Sequence, residues 1–141
     1  TGAPITRQVN LQATSQYNCT SDITADITIH PKPTARFETE KIIDCAPFEV
    51  PFTNTSLNAD QYQWNLGSYT IITTASSAPF SHTFDNQGSN IATYGITLIA
   101  STNFGCLDTV QQYVYVYPRT IAAFSVNDGD CSPFTAYFIN E

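Results

Sequence analysis

Positive charge is scarce in this chain, and that scarcity excludes several kinds of partner. Five lysine and arginine residues stand against twelve aspartate and glutamate residues, which gives a net charge of −7 at neutral pH. Nucleic-acid phosphates and anionic lipid headgroups are also negative, so a protein of this net charge repels them. The sequence therefore predicts neither nucleic-acid binding nor attachment to an anionic membrane surface.

Long hydrophobic runs are also missing. No apolar segment reaches the roughly 18 residues that a membrane-spanning helix needs, and the chain does not open on a basic segment followed by an apolar one. We therefore expect no membrane insertion, and any export signal is expected outside these residues. The hydrophobic share of 42% is nevertheless too high for a disordered tail, so the chain is expected to fold.

The four cysteines do not form a metal-binding pattern. Cys19, Cys45, Cys106 and Cys131 include no Cys-x-x-Cys pair, and their spacing does not match a zinc framework. Methionine is absent and lysine is scarce. Cysteines that are spaced as if for pairing indicate an oxidising, extracellular or cell-surface setting.

An internal repeat is the most informative feature that is present. Residues 5–37 align without gaps on residues 92–124, so that each residue matches the one 87 positions later, as Cys19 matches Cys106. Past Phe37 the match continues with one residue deleted, and Cys45 matches Cys131, which is 86 positions later. Self-similarity at a fixed period is typical of stacked modules.

The repeat predicts three units in the chain. Residues 1–30 would be the C-terminal part of one repeat (its strands F and G), residues 31–118 a complete repeat, and residues 119–141 the N-terminal part of a third (its strands A and B). The chain is thus expected to be a segment of a longer tandem array. Pro31, Pro33 and Pro118 mark the expected joints.

Apolar residues alternate along the chain, and this period of two predicts strands that turn one face to a core. Short strands separated by turn signals indicate an all-β, antiparallel two-sheet sandwich of the immunoglobulin-like kind. Trp64, Phe52 and Leu98 are the expected core anchors. The strands predicted for the complete repeat are 35–38, 48–54, 62–66, 69–74, 80–84, 93–101 and 109–117.

The complete repeat contains five characteristic segments, which are Pro47-Phe-Glu-Val50-Pro-Phe52-Thr-Asn-Thr-Ser56, Trp64-Asn-Leu66-Gly67, His82-Thr-Phe84, Tyr94-Gly-Ile96-Thr-Leu98 and Gly105-Cys-Leu-Asp108. In these segments it resembles the PKD (polycystic kidney disease) domain, an immunoglobulin-like sandwich. The chain departs from the family after Trp64, where Asn65 and Ser68 replace two acidic residues of the usual turn.

The resemblance implies a structural role. The Cys-x-Pro start and Gly-Cys-x-Asp end are similar to the version of this domain in long bacterial surface proteins, many of them exported by the type IX route. Such domains usually serve as spacers, stalks or adhesive shafts, with neighbouring repeats and lateral copies as partners. The alternative is an accessory or carbohydrate-binding module of a secreted hydrolase, with glycans as partners.

Candidate catalytic and metal-binding residues are few. Ser81 and His82 are adjacent on a predicted strand and point to opposite faces, so they cannot meet as nucleophile and base, and we predict no enzyme. The segment Asn127-Asp-Gly-Asp130 resembles part of a calcium loop, but Asp-Gly is first a turn signal and the distal glutamate of an EF-hand is missing. We expect no cofactor, with calcium as the alternative.

Two surface features have open interpretations. Tyr113, Tyr115 and Tyr117 share one face of a strand, which is consistent with cross-strand packing, with contact to another repeat or chain, or with glycan binding. Thr109 follows Asp108 and precedes a valine, a pattern that resembles the O-glycosylation signal of the same secreting bacteria.

The cysteines are expected to link consecutive repeats. In an immunoglobulin-like topology, Cys45 precedes strand B at one end of the sandwich and Cys106 follows strand F at the other, about 30 Å away. A disulfide bond needs Cα atoms about 4.4–6.8 Å apart. We therefore expect Cys45 to pair in the following repeat and Cys106 in the preceding one.

Overall fold

The computed structural model describes residues 2–67, 70–126, 129, 131–133 and 135–140. All regular elements in these residues are β-strands. The described residues contain no helix that is long and apolar enough to cross a membrane. In chain order the strands are β1 (Ile5–Thr14), β2 (Thr20–Ile29), β3 (Phe37–Glu38), β4 (Ile43–Cys45), β5 (Phe48–Asn54), β6 (Gln61–Asn65), β7 (Ile71–Thr74), β8 (Phe80–Phe84), β9 (Ala92–Ser101), β10 (Leu107–Tyr117), β11 (Phe124–Val126) and β12 (Phe138–Asn140).

Strands β3 to β10 form a two-sheet sandwich. One sheet has the order β4-β10-β9-β6-β7 and the other has the order β3-β5-β8. Every pairing is antiparallel except that of β4 with the end of β10, which is parallel. The predicted fold class, an all-β sandwich, is confirmed.

The core lies between these two sheets. Burial alternates along β5 and β6, so Val50 and Phe52 point inward from one sheet and Tyr62 and Trp64 from the other. The Trp64 ring lies 5.1 Å from the rings of both Phe37 and Phe80 and 5.8 Å from that of Phe52, measured between centroids. Leu98 is fully buried beside them. Every buried hydrophobic residue of the described chain falls between Ala35 and Val116.

A hydrogen bond between strand and corner closes one end of the sandwich. The hydroxyl of Tyr94, near the start of β9, donates to the main-chain carbonyl of Asp85, nine residues upstream. This contact is the tyrosine corner typical of immunoglobulin-like sandwiches. It positions the loop between β8 and β9 at the end of the sandwich where β10 also finishes.

The strand predictions were accurate where burial alternates and missed one short strand. The strands predicted at 48–54 and 80–84 are confirmed as β5 and β8. β4 was not predicted, because it has only three residues and its polar residue, Asp44, is more buried than Ile43 and Cys45 on either side. β4 forms only through pairing with Tyr115–Tyr117, which lie about seventy residues later.

The ends of the chain form separate hairpins whose pairing repeats that of the sandwich. β1 and β2 pair from Ile5 with Ile29 to Thr14 with Thr20. Both strands begin 87 positions before their counterparts β9 and β10. In β11 and β12, Phe124 is opposite Asn140, just as Phe37 is opposite Asn54 in β3 and β5. Strands β1, β2 and β12 are exposed along their whole length, and no described residue of either end hairpin joins the buried core.

Candidate functional site

The candidate site lies at the joint where the first hairpin, formed by β1 and β2, meets the sandwich. A cleft of about 410 Å³ opens there. Its hairpin side consists of Gly2, Pro4, His30 and Pro31, and its sandwich side consists of the loop at residues 56–60, Tyr62, Thr102 and Phe104. The site is therefore made by the contact between two units and not by either one alone.

An aromatic stack forms the centre of this joint. The ring of His30, directly after β2, lies flat on the ring of Phe104, with 3.5 Å between centroids and 12° between planes. Phe104 belongs to the turn between β9 and β10, which projects from the end of the sandwich. Across the cleft, the Gly2 main-chain amide donates a 2.9 Å hydrogen bond to Oδ1 of Asn58. The hairpin is thus held at two separated points.

The linker after His30 is fastened to the sandwich by main-chain bonds. Thr34 and Leu57 exchange two hydrogen bonds of 2.9 Å, and the side chain of Pro33 is fully buried. Proline fixes φ, and burial of its ring removes further freedom. Pro31 and Pro33 therefore mark a joint with little slack.

Asp108 ties the same linker to the start of β10. Its Oδ2 accepts a 3.0 Å hydrogen bond from the Ala35 main-chain amide, and its Oδ1 lies 3.2 Å from Nζ of Lys32. The hydrogen bond from the Ala35 amide, and to a smaller extent that from Lys32, holds the pKa of the Asp108 carboxyl below its usual value. Asp108 is therefore a structural residue of the joint, a role that the sequence did not reveal.

The opposite end of the sandwich holds its own linker through Arg119. The Arg119 main-chain amide donates a 3.0 Å bond to the carbonyl of Asn86, and Nη2 lies 3.0 Å from Oδ1 of Asp85. Hydrogen bonds from Gln87, from Arg119 and from the Asn86 amide lower the pKa of Asp85. Each linker thus carries a basic residue that is paired with an acid of the sandwich.

The tyrosine face lies mainly along β10, away from this joint. Tyr113 is opposite Gly95, where a Cβ would meet Nε2 of Gln111 at 3.3 Å and the Tyr113 ring at 3.7 Å. Tyr115 is half-buried and lies between Thr93 on one side and Ile43 on the other. Tyr117 is 41% exposed at the strand end, while Val114 and Val116 point into the core.

The cysteines lie at different ends of the structure. Cys45 is opposite Tyr117 at one end of β10, and Cys106 precedes Leu107 at the other. The eleven residues of β10 extend over about 33 Å, so these two cysteines cannot bond to each other within the sandwich. Cys19 occupies the turn between β1 and β2, and Cys131 lies between β11 and β12.

The remaining predicted sites are scattered. His82 packs edge-on against Phe84 on β8, and burial lowers its pKa. Thr109 is exposed on β10, next to Asp108. Of the segment 127–130, all but Gly129 lies outside the described residues. In the described part of the chain, no three histidine, cysteine or acidic side chains are grouped as metal ligands.

Comparison with solved structures identifies the fold, whereas no family model and no curated protein sequence matches the chain. A structure reported under the promiscuous specificity of carbohydrate-binding modules from the β-sandwich superfamily matches with a TM-score of 0.56 and 19% identity. The match covers 70% of this chain and 40% of that one. This likeness shows a β-sandwich and nothing about the ligand.

Two isolated PKD domains also match. The PKD1 domain of the Vibrio cholerae metalloprotease PrtV has 26% identity and a TM-score of 0.47, over 62% of this chain and 99% of that one. The PKD1 domain of Vibrio anguillarum Epp has 19% identity and a TM-score of 0.49, over 64% of this chain and 99% of that one.

Proposed function

We propose that this chain is a segment of an extracellular tandem array of PKD-like sandwiches, which acts as a shaft or spacer and carries out no catalysis. The observation that carries the proposal is the joint. A hairpin with the register of β9 and β10 stands directly before the sandwich and is fixed to its end by the His30–Phe104 stack, the Gly2–Asn58 bond and a buried linker.

The setting we propose is the surface of a secreting bacterium, as a fibre, filament or adhesin stalk of the type IX kind. The acidic, lysine-poor composition and the residue pattern of the complete repeat support this. Neighbouring repeats, and copies lying alongside, are then the partners. Binding to a target would belong to another part of the protein.

Solution scattering tests the shaft. A compact globule of this length has a radius of gyration of about 14 Å. A joint that holds hairpin and sandwich in line predicts a clearly larger value, and residues 31–118 alone, which contain the whole core, serve as the compact control. A radius near that of the globule would contradict the proposal.

We propose that the cysteines link consecutive sandwiches. With Cys45 and Cys106 at opposite ends of β10, each faces a neighbour along the array and not the other. Peptide mapping of the secreted protein without reduction tests this. A peptide that joins Cys45 to Cys106 of the same repeat would contradict it.

We also propose that Thr109 carries an O-linked glycan. Its side chain is exposed, and the Asp108 side chain before it is held in place by Ala35 and Lys32. Intact mass measurement of the native protein checks this. A mass equal to that of the unmodified sequence would rule the glycan out.

A second candidate is an accessory or carbohydrate-binding module of a secreted hydrolase. It is favoured by the partly exposed tyrosine face of β10, because aromatic rings stack on sugars. Binding to a panel of polysaccharides that is lost in Tyr115→Ala but kept in Gln63→Ala would support this function over the shaft.

A further inference from the structure

At the positions that correspond to those of the first joint, the far end of the sandwich has an aromatic, an apolar and a basic residue, as the first hairpin and its linker do. At a distance of 87 positions, His30 corresponds to Tyr117, Pro4 to Ile91, and Lys32 to Arg119. In the joint that is present, His30 stacks on the sandwich that follows it, and Pro4 lines the cleft between hairpin and sandwich. Their counterparts Tyr117 and Ile91 are 41% and 52% exposed.

The receiving side of the joint is also repeated. Phe104, which accepts the His30 ring, corresponds to Tyr17 in the turn between β1 and β2. The two turns have the same geometry. Thr102 and Cys106 are joined by two hydrogen bonds, from main chain to main chain at 2.9 Å and from the Cys106 amide to the Thr102 hydroxyl at 3.2 Å. Ser15 and Cys19 repeat both bonds at the same lengths.

Each unit of the repeat therefore presents one aromatic side chain at its leading turn and another at the end of its last strand. Both positions keep an aromatic ring although the residue changes, from Tyr17 to Phe104 and from His30 to Tyr117. A side chain that is only solvated does not require an aromatic ring, so solvation alone does not explain a ring in both copies. Stacking on an aromatic ring of the neighbouring unit does explain it.

The basic linker residue adds charge complementarity. Lys32 is paired with Asp108 of the sandwich that follows it, and Arg119 is paired with Asp85 of the sandwich that precedes it. The basic residue at this linker position thus pairs with an acid of the following sandwich in one linker and with an acid of the preceding sandwich in the other. A partner that carries an acid at the Asp108 position and an aromatic ring at the Phe104 position matches this end of the sandwich.

We propose that Tyr117, Ile91 and Arg119 form the docking face for the leading turn of a further sandwich of the same kind. Tyr117 stacks on the aromatic residue of that turn as His30 stacks on Phe104. The inference rests on the proposed array and specifies the contact that joins its units. It assigns Tyr117 to the joint, whereas Tyr113 belongs to the sheet through Gly95.

The test begins with the existing chain. In His30→Tyr the joint is expected to persist, because the repeat places a tyrosine, Tyr117, at the position that corresponds to His30, whereas His30→Ala is expected to release the hairpin. NMR relaxation reports whether hairpin and sandwich tumble together. If His30→Tyr releases the hairpin as fully as His30→Ala does, a tyrosine cannot make this contact and the proposal is wrong.

The second step places a full neighbour at the docking face. Because the sandwich buries its own core between Ala35 and Val116, a chain in which residues 33–118 are repeated after Arg119 contains two complete sandwiches at the natural spacing and keeps all three residues of the docking face. We expect the two to tumble as one body. Tyr117→Ala in the first sandwich, or Phe104→Ala in the second, is expected to abolish this common tumbling, while the matched control Tyr113→Ala leaves it unchanged.

The outcomes separate the two proposals. If Tyr117→Ala leaves the two sandwiches rigidly joined, the docking face is wrong and the array stands. If the unaltered sandwiches already tumble independently, both the docking face and the stiff shaft are wrong. If Tyr117→Ala leaves the joint intact and removes binding to a polysaccharide, Tyr117 belongs to a glycan site and the docking proposal is overturned.

Discussion

The side-chain amide of Asn86 donates a 2.8 Å hydrogen bond to the main-chain carbonyl of Val116. The same nitrogen donates to the carbonyl of Asn90, and Oδ1 accepts from the amide of Gly88. Asn86 is also the only buried polar residue among those that the structure describes, at 7% exposure. One side chain thus connects the corner after β8 to β10, next to Tyr117.

Removal of this amide is expected to destabilise the sandwich. In Asn86→Ala the carbonyls of Asn90 and Val116 and the amide of Gly88 lose a partner, and an unsatisfied buried polar group costs about 1–3 kcal/mol. Urea unfolding of the two proteins measures the difference. Ser89→Ala, an exposed change in the same loop, is the control and should match the native midpoint. Equal midpoints for Asn86→Ala and the native chain would contradict this role.

Replacement of the central tryptophan is expected to have a larger effect. Trp64 is 1% exposed and contacts the rings of Phe37, Phe52 and Phe80. Trp64→Ala leaves a cavity among these rings and should lower the free energy of unfolding by about 3–5 kcal/mol. Circular dichroism in urea measures it, and Gln63→Ala on the outer face of the same strand is the control. A loss no greater than that of the control would show that Trp64 does not anchor the core.

The fastening of the linker is expected to weaken in acid. Hydrogen bonds from the Ala35 amide and from Lys32 lower the folded-state pKa of Asp108 below the usual value of 3.8. The stabilisation by Asp108 is therefore present above pH 3.8 and is lost as the pH falls through the folded-state value. A titration of the Asp108 side-chain carbon by NMR should give a midpoint below 3.8. Asp108→Asn should remove this part of the acid dependence of unfolding, and a normal or raised midpoint would contradict the assignment.

The two repeats differ at one strained turn position, and the difference predicts which substitution is tolerated. Gly105 has a φ of 83°, and a Cβ placed there meets no atom within 4 Å. Its counterpart Asn18 has a φ of 61°. An alanine in this left-handed conformation is destabilised by roughly 1–2 kcal/mol, and asparagine tolerates the conformation better. Thermal unfolding should therefore place Gly105→Asn close to the native chain and Gly105→Ala below it. If Gly105→Ala were the more stable of the two variants, the size of the side chain and not the backbone conformation would determine stability at this turn.

The sequence was sufficient for the sandwich because its signals are local. Alternation at Phe48–Asn54 and at Phe80–Phe84 predicted β5 and β8, and the single tryptophan indicated the core. These features depend on residues that are close together in the chain.

The contacts of the joint could not be read in the same way. His30 and Phe104 stack although seventy-four residues separate them, and nothing near either residue indicates the other. Asp108 stood out only as the residue before Thr109, while its bonds to Lys32 and Ala35 depend on how the linker crosses the end of β10. The one available signal was the presence of an aromatic residue at both copies of each position. That signal becomes interpretable only after one copy is seen in contact.

The parallel pairing of β4 with the end of β10 determines how the sandwich responds to tension. Tyr115 donates a main-chain hydrogen bond to Ile42, and Ala46 donates one to Tyr117. Once β3 has separated from β5, a pull between the two linkers draws these parallel strands past each other, because β4 then follows the loaded segment and β10 leads directly into the second linker. The bonds are then stretched together in shear and do not open one after another. Rupture of such a patch requires all of its bonds to fail at once, so a strand of only three residues can set the force at which the unit gives way.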